Sequence, residues 1–169
     1  MFNSSEPPLL DYTSDQMLEL AEKVVASHST VTGVQPKLSL GLNKPAGKAA
    51  TSKLTIMGVR GGYILKPQSD YYPKLPELED LTMHPAQIAG LATMKHTLIR
   101  LKSGELAYLT KRIDREGKGK RHMEDMCQLT ERLTEAKYKG SYEQIGKAII
   151  KYFSNPGFDI VTFFEQGSL

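Results

Sequence analysis

The chain has very little cysteine and histidine. Cys127 is the only cysteine among the 169 residues, so no disulfide can form within the chain, and this usage fits a reducing compartment. The four histidines are scattered at no spacing typical of metal ligands. The sequence therefore gives no indication of a zinc site.

Long hydrophobic runs are also absent. No apolar stretch approaches the ~20 residues that a membrane-spanning helix needs. Residues 1 to 6 contain neither a basic segment nor an apolar core, so the sequence predicts no signal peptide. We therefore expect no membrane partner and a cytoplasmic location. The hydrophobic fraction of 40% fits one globular domain with its own core.

The net charge is only +3, and much of it is concentrated in residues 111 to 122. Such a cluster can contact phosphate groups, so one functional interpretation is a small nucleic-acid-binding domain. It is weaker than the two interpretations given below. The cluster contains glycines and no aromatic residue for base stacking, so we favour a solvated, flexible connection. Salt-dependent DNA binding by this chain would support the weaker interpretation.

The periodicity of apolar residues predicts a helix, three strands, a second helix, two strands and then further helices. Thr13 and Gln16 have the spacing of a capping box before the first helix. Pro85 lies in the second helix and should kink or interrupt it, because proline lacks a backbone donor. This order predicts an α+β fold. It has the organisation of a protein-kinase N-lobe, with an antiparallel sheet of about five strands and a packed helix, plus the first helices of a truncated helical C-lobe. The predicted strands cover residues 36–42, 54–57, 63–66, 97–101 and 105–111, and the later helices cover residues 123–129, 141–153 and 158–166.

Lys66 closes the third predicted strand, which is otherwise apolar. A lysine at a strand end can reach nucleotide phosphates as a point charge, and it needs a carboxylate to hold it. Taken alone, such a lysine is more often an ordinary surface residue. Acidic residues at the start of the next helix favour the functional interpretation, and Glu79 is the predicted partner. A plain alternative for Glu79 is favourable placement near a helix N-terminus.

A glycine turn precedes the first predicted strand. Its backbone amides can cradle phosphates and its lysine can add charge. The turn matches neither the G-x-G-x-x-G loop of ordinary kinases nor the G-x-x-x-x-G-K-[ST] loop of other nucleotide-binding enzymes. Thr30 and Thr32 are possible phosphorylation sites beside it, or simply exposed turn residues. The candidate nucleotide-binding residues of the turn are Gly33, Val34, Gln35 and Lys37.

A charged segment follows the last predicted strand. By position it is the hinge between two lobes, where backbone groups of Thr110, Lys111 and Arg112 could bind an adenine. The alternative is a strand end with a surface ion pair, which contributes little to stability.

Further on, Glu124 and Asp125 are adjacent in the sequence. Neighbours on a helix point apart, so we expect a structural role for these two carboxylates.

Four segments, taken together, resemble the HipA-like serine/threonine kinases, which are toxins of toxin–antitoxin systems. The family shows S-I-[AS]-G-[AV]-Q-x-K, I-L-K, E-R-F-D-R, and Q-E-D-x-C-Q followed by K-Y-E. The resemblance implies that Lys66 is the nucleotide-binding lysine and that Thr30 stands in place of a phosphorylated serine. Lys111 stands where the family often has a hinge glutamate. The matching segments are residues 30–38, 63–67, 112–115 and 124–128, with 137–138 after them.

The resemblance also implies cofactors and partners. ATP with Mg²⁺ would supply the γ-phosphoryl group, and the acceptor would be a serine or threonine of a protein; family substrates include aminoacyl-tRNA synthetases. A helix-turn-helix repressor antitoxin is the implied partner, through which the toxin meets DNA only indirectly. A separate small protein could supply an N-terminal domain, as in split systems of this family.

The family's catalytic segment, which resembles D-x-H-x-K-N, does not occur in the sequence. We therefore predict no catalytic residue and no metal ligand in this chain, and we expect a fragment that is inactive alone. The predicted parts are an N-terminal segment and helix (1 to 29), a kinase N-lobe (30 to 114) and the start of a C-lobe (115 to 169). The alternative is a natural, non-catalytic half-kinase that docks an antitoxin or another partner.

Overall fold

The computed structural model describes residues 1–2, 7–26, 37–43, 51–57, 60–116, 119–137 and 139–167. In this part of the chain, no helix is both long enough and apolar enough to cross a membrane. The helices are α1 (Ser14–Ala26), α2 (Leu75–Ile88), α3 (Met126–Leu129), α4 (Tyr142–Tyr152) and α5 (Pro156–Gly167), and a short 3₁₀ helix spans Thr134–Ala136. The strands are β1 (Leu38–Asn43), β2 (Lys53–Ile56), β3 (Tyr63–Pro67), β4 (His96–Arg100), β5 (Leu106–Lys111), β6 (Arg115–Glu116) and β7 (Gly119–Lys120).

The first five strands form one antiparallel sheet in the order β2-β1-β3-β5-β4. Helix α1 contacts β1 and β3, whereas α2 contacts β4 and β5. The predicted α+β fold, with five antiparallel strands and a packed helix, is confirmed. The predicted division of the chain into three parts stays a prediction.

One face of the sheet carries the hydrophobic core. Leu38, Leu65 and Leu109 lie side by side across β1, β3 and β5, and all three are fully buried. Met17 and Ala21 of α1 belong to the same buried cluster. Full burial of one such leucine side chain contributes about 1.5–3 kcal/mol. Because side chains alternate along a strand, the residues directly before and after each of these leucines point to the opposite face of the sheet.

Local interactions explain where α1 begins and where α2 ends. Before α1, the amide of Thr13 donates to Gln16 Oε1 at 3.0 Å and the amide of Gln16 donates to Thr13 Oγ1 at 3.4 Å. This is the capping box that the sequence predicts. After α2, Gly90 adopts a φ of 82° and ends the helix in the left-handed conformation that glycine tolerates.

Helix α2 continues through Pro85 as far as Ile88. Of the two predicted effects of Pro85, an interruption of the helix is therefore wrong, and a kink stays a prediction. The amide of Ala89 donates to the Pro85 carbonyl at 2.8 Å, so helical hydrogen bonding resumes directly after the proline. With only three helical residues beyond it, Pro85 removes one hydrogen bond near the helix end, where few further bonds depend on it.

Part of the basic stretch is regular structure. Strands β6 and β7 pair antiparallel, with Arg115 opposite Lys120, and the amide of Arg121 donates to the Asp114 carbonyl at 3.0 Å. The prediction of a flexible connection is thus wrong for these residues. The hairpin is short, and its charged composition concealed the pairing from sequence analysis.

Candidate functional site

Lys66 and Glu79 form an ion pair across the face of the sheet opposite the core. Leu65 is buried in the core, so its neighbour Lys66 points to the other face, beneath α2. Lys66 Nζ lies 2.6 Å from Glu79 Oε2, and about a fifth of each side chain is exposed. The structure therefore brings together the two side chains that the sequence analysis paired.

Tyr108 fixes Lys66 from the neighbouring strand. It lies opposite Lys66 in the register of β3 and β5, and its ring centroid is 5.3 Å from Lys66 Nζ. An ammonium over an aromatic face is attracted by the ring quadrupole. Burial raises the pKa of Tyr108 to about 12, so its phenol stays neutral over the physiological range. Lys66 is thus held by a carboxylate on one side and by a ring on the other.

A buried histidine network ties α2 to the same face. His96 Nδ1 lies 2.8 Å from Asp80 Oδ1, and His96 Nε2 lies 3.0 Å from Gln87 Nε2. A neutral ring that donates from Nδ1 to Asp80 and accepts from the Gln87 amide satisfies both contacts. The ring also stacks on Tyr108 with centroids 5.9 Å apart. Because Asp80 follows Glu79 directly, this network also fixes the helix position that presents Glu79.

Lys37 lies near both Lys66 and a third lysine, Lys137. Lys37, just before β1, is half-buried; burial first, and then the charges of Lys66 and Lys137, hold the pKa of Lys37 below its ordinary value of 10.5. The charges of Glu79 and Asp125 oppose this shift. Three ammonium groups and two carboxylates therefore share one region. We call Lys37, Lys66 and Lys137 the lysine cluster, and an anion placed beside it would relieve the repulsion between the lysines.

Asp125 has the structural role that the sequence predicts. Its Oδ1 accepts a hydrogen bond from the Gln128 amide at 2.9 Å, and its own amide donates to Gln128 Oε1, which completes a capping box at α3. Lys137 Nζ lies 2.6 Å from Asp125 Oδ2 and lowers the pKa of this carboxyl. Helix α3 begins after Asp125, so Glu124 and Asp125 are not neighbours on a helix, contrary to our expectation.

The charged segment after β5 forms a buried network. Arg112 donates from Nε to Asp114 Oδ1 at 2.7 Å and from Nη2 to Asp114 Oδ2 at 2.6 Å. Arg115 Nη1 also donates to Asp114 Oδ2 at 2.6 Å. Only 3% of Asp114 is exposed, so the alternative of a surface ion pair is wrong. The Arg112 hydrogen bonds hold the pKa of Asp114 below its ordinary value of 3.8.

The predicted hinge residues use their backbone amides within the fold. The amide of Lys111 donates to the Lys95 carbonyl and the amide of Arg112 donates to the Gly62 carbonyl, both at 2.9 Å. Thr110 lies within β5, between β3 and β4. An adenine contact at these residues would therefore have to use carbonyl oxygens, and it stays a prediction.

Comparison with known proteins identifies the family. Residues 29–167 match the family model described as the HipA-like C-terminal domain. The chain belongs to this family. The protein named "Putative kinase Y4dM", from Sinorhizobium fredii (strain NBRC 101917 / NGR234), is 32% identical to it over 132 residues. That match covers 71% of this chain and 32% of the relative, so the chain spans about a third of the relative's length.

Family membership confirms the resemblance read from the sequence motifs. Within this HipA-like chain, the structure describes the predicted site residues Lys37, Lys66, Glu79, Thr110, Lys111 and Arg112. It joins Lys66 to Glu79 and brings Lys37 near them. The other predicted residues, Gly33, Val34, Gln35, Thr30 and Thr32, lie outside the described residues.

Sequence reasoning missed Tyr108 and His96 as members of this candidate site. A signal was present for Tyr108, because Tyr108 and Lys66 both fall on outward positions of predicted strands. His96 lies one residue before the predicted strand of residues 97–101, and it is the first residue of β4. The pairing of β3 with β5, which the sequence order alone does not give, is what makes them neighbours. In the described part of the chain, no three His, Cys, Asp or Glu side chains gather as metal ligands.

Proposed function

We propose that this chain is the ATP-binding part of a HipA-like toxin kinase, which as a whole protein transfers the ATP γ-phosphoryl group to a protein serine or threonine. The observation that carries the proposal is the Lys66–Glu79 ion pair at 2.6 Å, on the face of the sheet away from the core. A strand lysine held by a helix glutamate is the arrangement with which kinases contact nucleotide phosphates. The family membership of residues 29–167 supports the same function.

The lysine cluster supplies the chemistry for phosphate binding. Glu79 holds Lys66 in one position, so little side-chain freedom would be lost when Lys66 contacts a phosphate. Lys37 adds a second ammonium group. Burial and the neighbouring lysines lower the pKa of Lys37 and so disfavour its charged form. A phosphate oxygen beside Lys37 would favour the charged form again, so ATP binding and protonation of Lys37 would support each other.

The nucleotide base would lie beside β3. Ile64 is two residues before Lys66, so it lies on the same face, and it is half-buried. Its side chain offers an apolar surface for an adenine ring. A hydrogen bond to the base would come from carbonyl oxygens of the segment of residues 110 to 112, because the amides of Lys111 and Arg112 are used within the fold.

The described residues do not supply a ligand set for Mg²⁺. The carboxylates nearest the lysine cluster are those of Glu79 and Asp125, and each is paired with a lysine at 2.6 Å. We therefore propose that this chain alone binds ATP without transferring its phosphoryl group. In a protein as long as the relative, the Mg²⁺ ligands and the group that orients the attacking hydroxyl would come from the remaining two thirds.

The partners follow from the family alone. We propose a helix-turn-helix repressor antitoxin, a protein substrate such as an aminoacyl-tRNA synthetase, and a separate small protein that supplies an N-terminal domain. The competing function is that of a non-catalytic half-kinase that docks such a partner. Nucleotide binding at Lys66 separates the two.

Calorimetric titration of ATP with Mg²⁺ into this chain tests the proposal. We expect binding that the Lys66→Ala substitution weakens at least tenfold, which corresponds to about 1.4 kcal/mol. The matched control is Lys74→Ala, which removes a lysine that is 79% exposed and paired with Glu77 at 3.3 Å. It should leave the affinity within about twofold. Absence of binding by the unmodified chain, or equal binding by the Lys66→Ala variant, would favour the half-kinase.

A further inference from the structure

A second site borders the lysine cluster and shares Lys137 with it. A groove of about 740 Å³ is formed by α3, the segment after it and the start of α4. Its apolar wall includes Met126, Tyr142 and Ile145, and its cations are Arg132, Lys137 and Lys139. Among the described residues, none that lines the groove is acidic. The groove thus combines an apolar surface with positive charge.

The Arg132 guanidinium lies against the backbone just before α4. A Cβ atom at Gly140 would lie 3.1 Å from Arg132 Nη1. The absence of a side chain at Gly140 therefore leaves room for the guanidinium group. Ser141, the next residue, is the N-cap of α4, where the partial charge of the helix is also positive. Two positive features therefore meet at this end of the groove.

The three cations of the groove differ in whether a carboxylate is paired with them. Lys137 is paired with Asp125 at 2.6 Å and is itself a member of the lysine cluster. In the described ranges, neither Arg132 nor Lys139 has a carboxylate partner within an ion-pair distance. The uncompensated charge of the groove thus lies on Arg132 and Lys139.

We propose that this groove binds an acidic segment of a partner protein, with an apolar side chain of that segment against Tyr142 and Ile145. A groove of this volume has the size of sites that enclose ligands much larger than one phosphate ion. A free phosphate would use the cations and leave the apolar wall uncovered. Carboxylates would pair with Arg132 and Lys139, and the apolar side chain would be removed from water. The proposal needs neither ATP nor phosphoryl transfer, so it can hold even if the chain does not bind nucleotide.

The test is binding of a fluorescent peptide of about eight residues, rich in glutamate with a central phenylalanine, to the full chain. Fluorescence anisotropy should show saturable binding that weakens as salt is raised. The variants are Arg132→Gln, Lys139→Gln and the double substitution. We expect about threefold weaker binding for each single change and about tenfold for the pair. The matched control is Lys147→Gln, which removes the same charge from a side chain of α4 that is 74% exposed and outside the groove.

Several outcomes would overturn the proposal. These are no binding to the unmodified chain, equal weakening by Lys147→Gln, or equal binding of a peptide in which glutamine replaces every glutamate. Displacement of the peptide by inorganic phosphate at equal concentration would assign the groove to a small anion instead. Circular dichroism of each variant shows whether it folds, and the glutamine peptide tests the unmodified chain without relying on any variant.

Discussion

Lys66 Nζ lies 2.6 Å from Glu79 Oε2, and this contact joins β3 to α2. The pairing is specified by the strand register, because Leu65 on one side of Lys66 is fully buried in the core. A slip of β3 by one residue would turn Lys66 into the core and Leu65 towards α2, so burial of the leucine forces the lysine outward. The hydrophobic core thus determines which way the candidate site faces.

Replacing Glu79 tests how much this pair stabilises the fold. In the Glu79→Gln variant, Lys66 keeps its place beneath α2 without a charged partner, so we expect a loss of about 1–2 kcal/mol in the free energy of unfolding. Urea denaturation followed by circular dichroism measures it. Glu19→Gln is the control, because the Glu19–Lys23 pair is exposed, and it should not change the unfolding midpoint. Equal effects of the two substitutions would contradict a special role for the Lys66–Glu79 pair.

The Asp114→Asn variant should be destabilised more than the Glu79→Gln variant. Asp114 accepts three hydrogen bonds from the side chains of Arg112 and Arg115 at 2.6–2.7 Å. Without its charge, two largely buried guanidinium groups lose the carboxylate that they share, and we expect a loss of about 3 kcal/mol. The same urea experiment measures it, with the exposed Asp70→Asn as the control. A loss no larger than that of the control would show that the arginines find other compensation.

Parts of the site could be predicted from the sequence because they depend on local patterns. The place of Lys66 at the end of an otherwise apolar strand and the acidic start of the next helix led to the pairing of Lys66 with Glu79. The contacts of His96 could not be predicted, because its partners Asp80 and Gln87 come from α2 and become neighbours only when that helix packs on β4. Sequence spacing showed scattered histidines, and the tertiary structure buries one of them.

The segment of residues 112 to 115 illustrates the same limit for burial. Its alternation of charges is typical of an exposed strand end, and nothing local shows that Asp114 is 3% exposed. Its burial follows from the position of the segment, where β5 leads into the β6–β7 hairpin. The Asp125 cap, in contrast, is local: the acid and Gln128 stand three residues apart, as a capping box requires.

The pH dependence of stability should reflect Asp114. The pKa of this carboxyl is below its ordinary value of 3.8 in the folded chain, so its contribution is complete above about pH 4 and is lost as the pH falls through the folded pKa. The difference in the free energy of unfolding between the unmodified chain and Asp114→Asn should therefore shrink below about pH 4. Urea denaturation between pH 7 and pH 3 measures it. Some acid sensitivity should persist in the variant, because the pKa of Asp125 is also lowered. A constant difference over this range would contradict the assignment.

Two adjacent glycines offer a matched test of how tightly β1 packs beside the site. An alanine Cβ at Gly61 would collide with the Leu40 carbonyl and with Ser39 Oγ, whereas one at Gly62 would meet nothing within 4 Å. The Leu40 carbonyl belongs to the backbone of β1 and cannot rotate away, so Gly61→Ala should cost about 1–3 kcal/mol of stability. Gly62→Ala should be neutral, or stabilising by up to about 1 kcal/mol, because it restricts the unfolded chain.

The same glycine pair links packing to nucleotide binding. Ser39 lies opposite Ile64, two residues before Lys66, so a displacement of β1 at Gly61 would be passed to the strand that carries the lysine. We therefore expect Gly61→Ala to weaken ATP binding severalfold at a temperature where it is still folded, and Gly62→Ala to leave the affinity unchanged. Denaturant melts and calorimetric titration of both variants measure the two effects. If both alanines reduced stability and affinity equally, the cause would be the loss of glycine flexibility in the turn, and not the contact between Gly61 and β1.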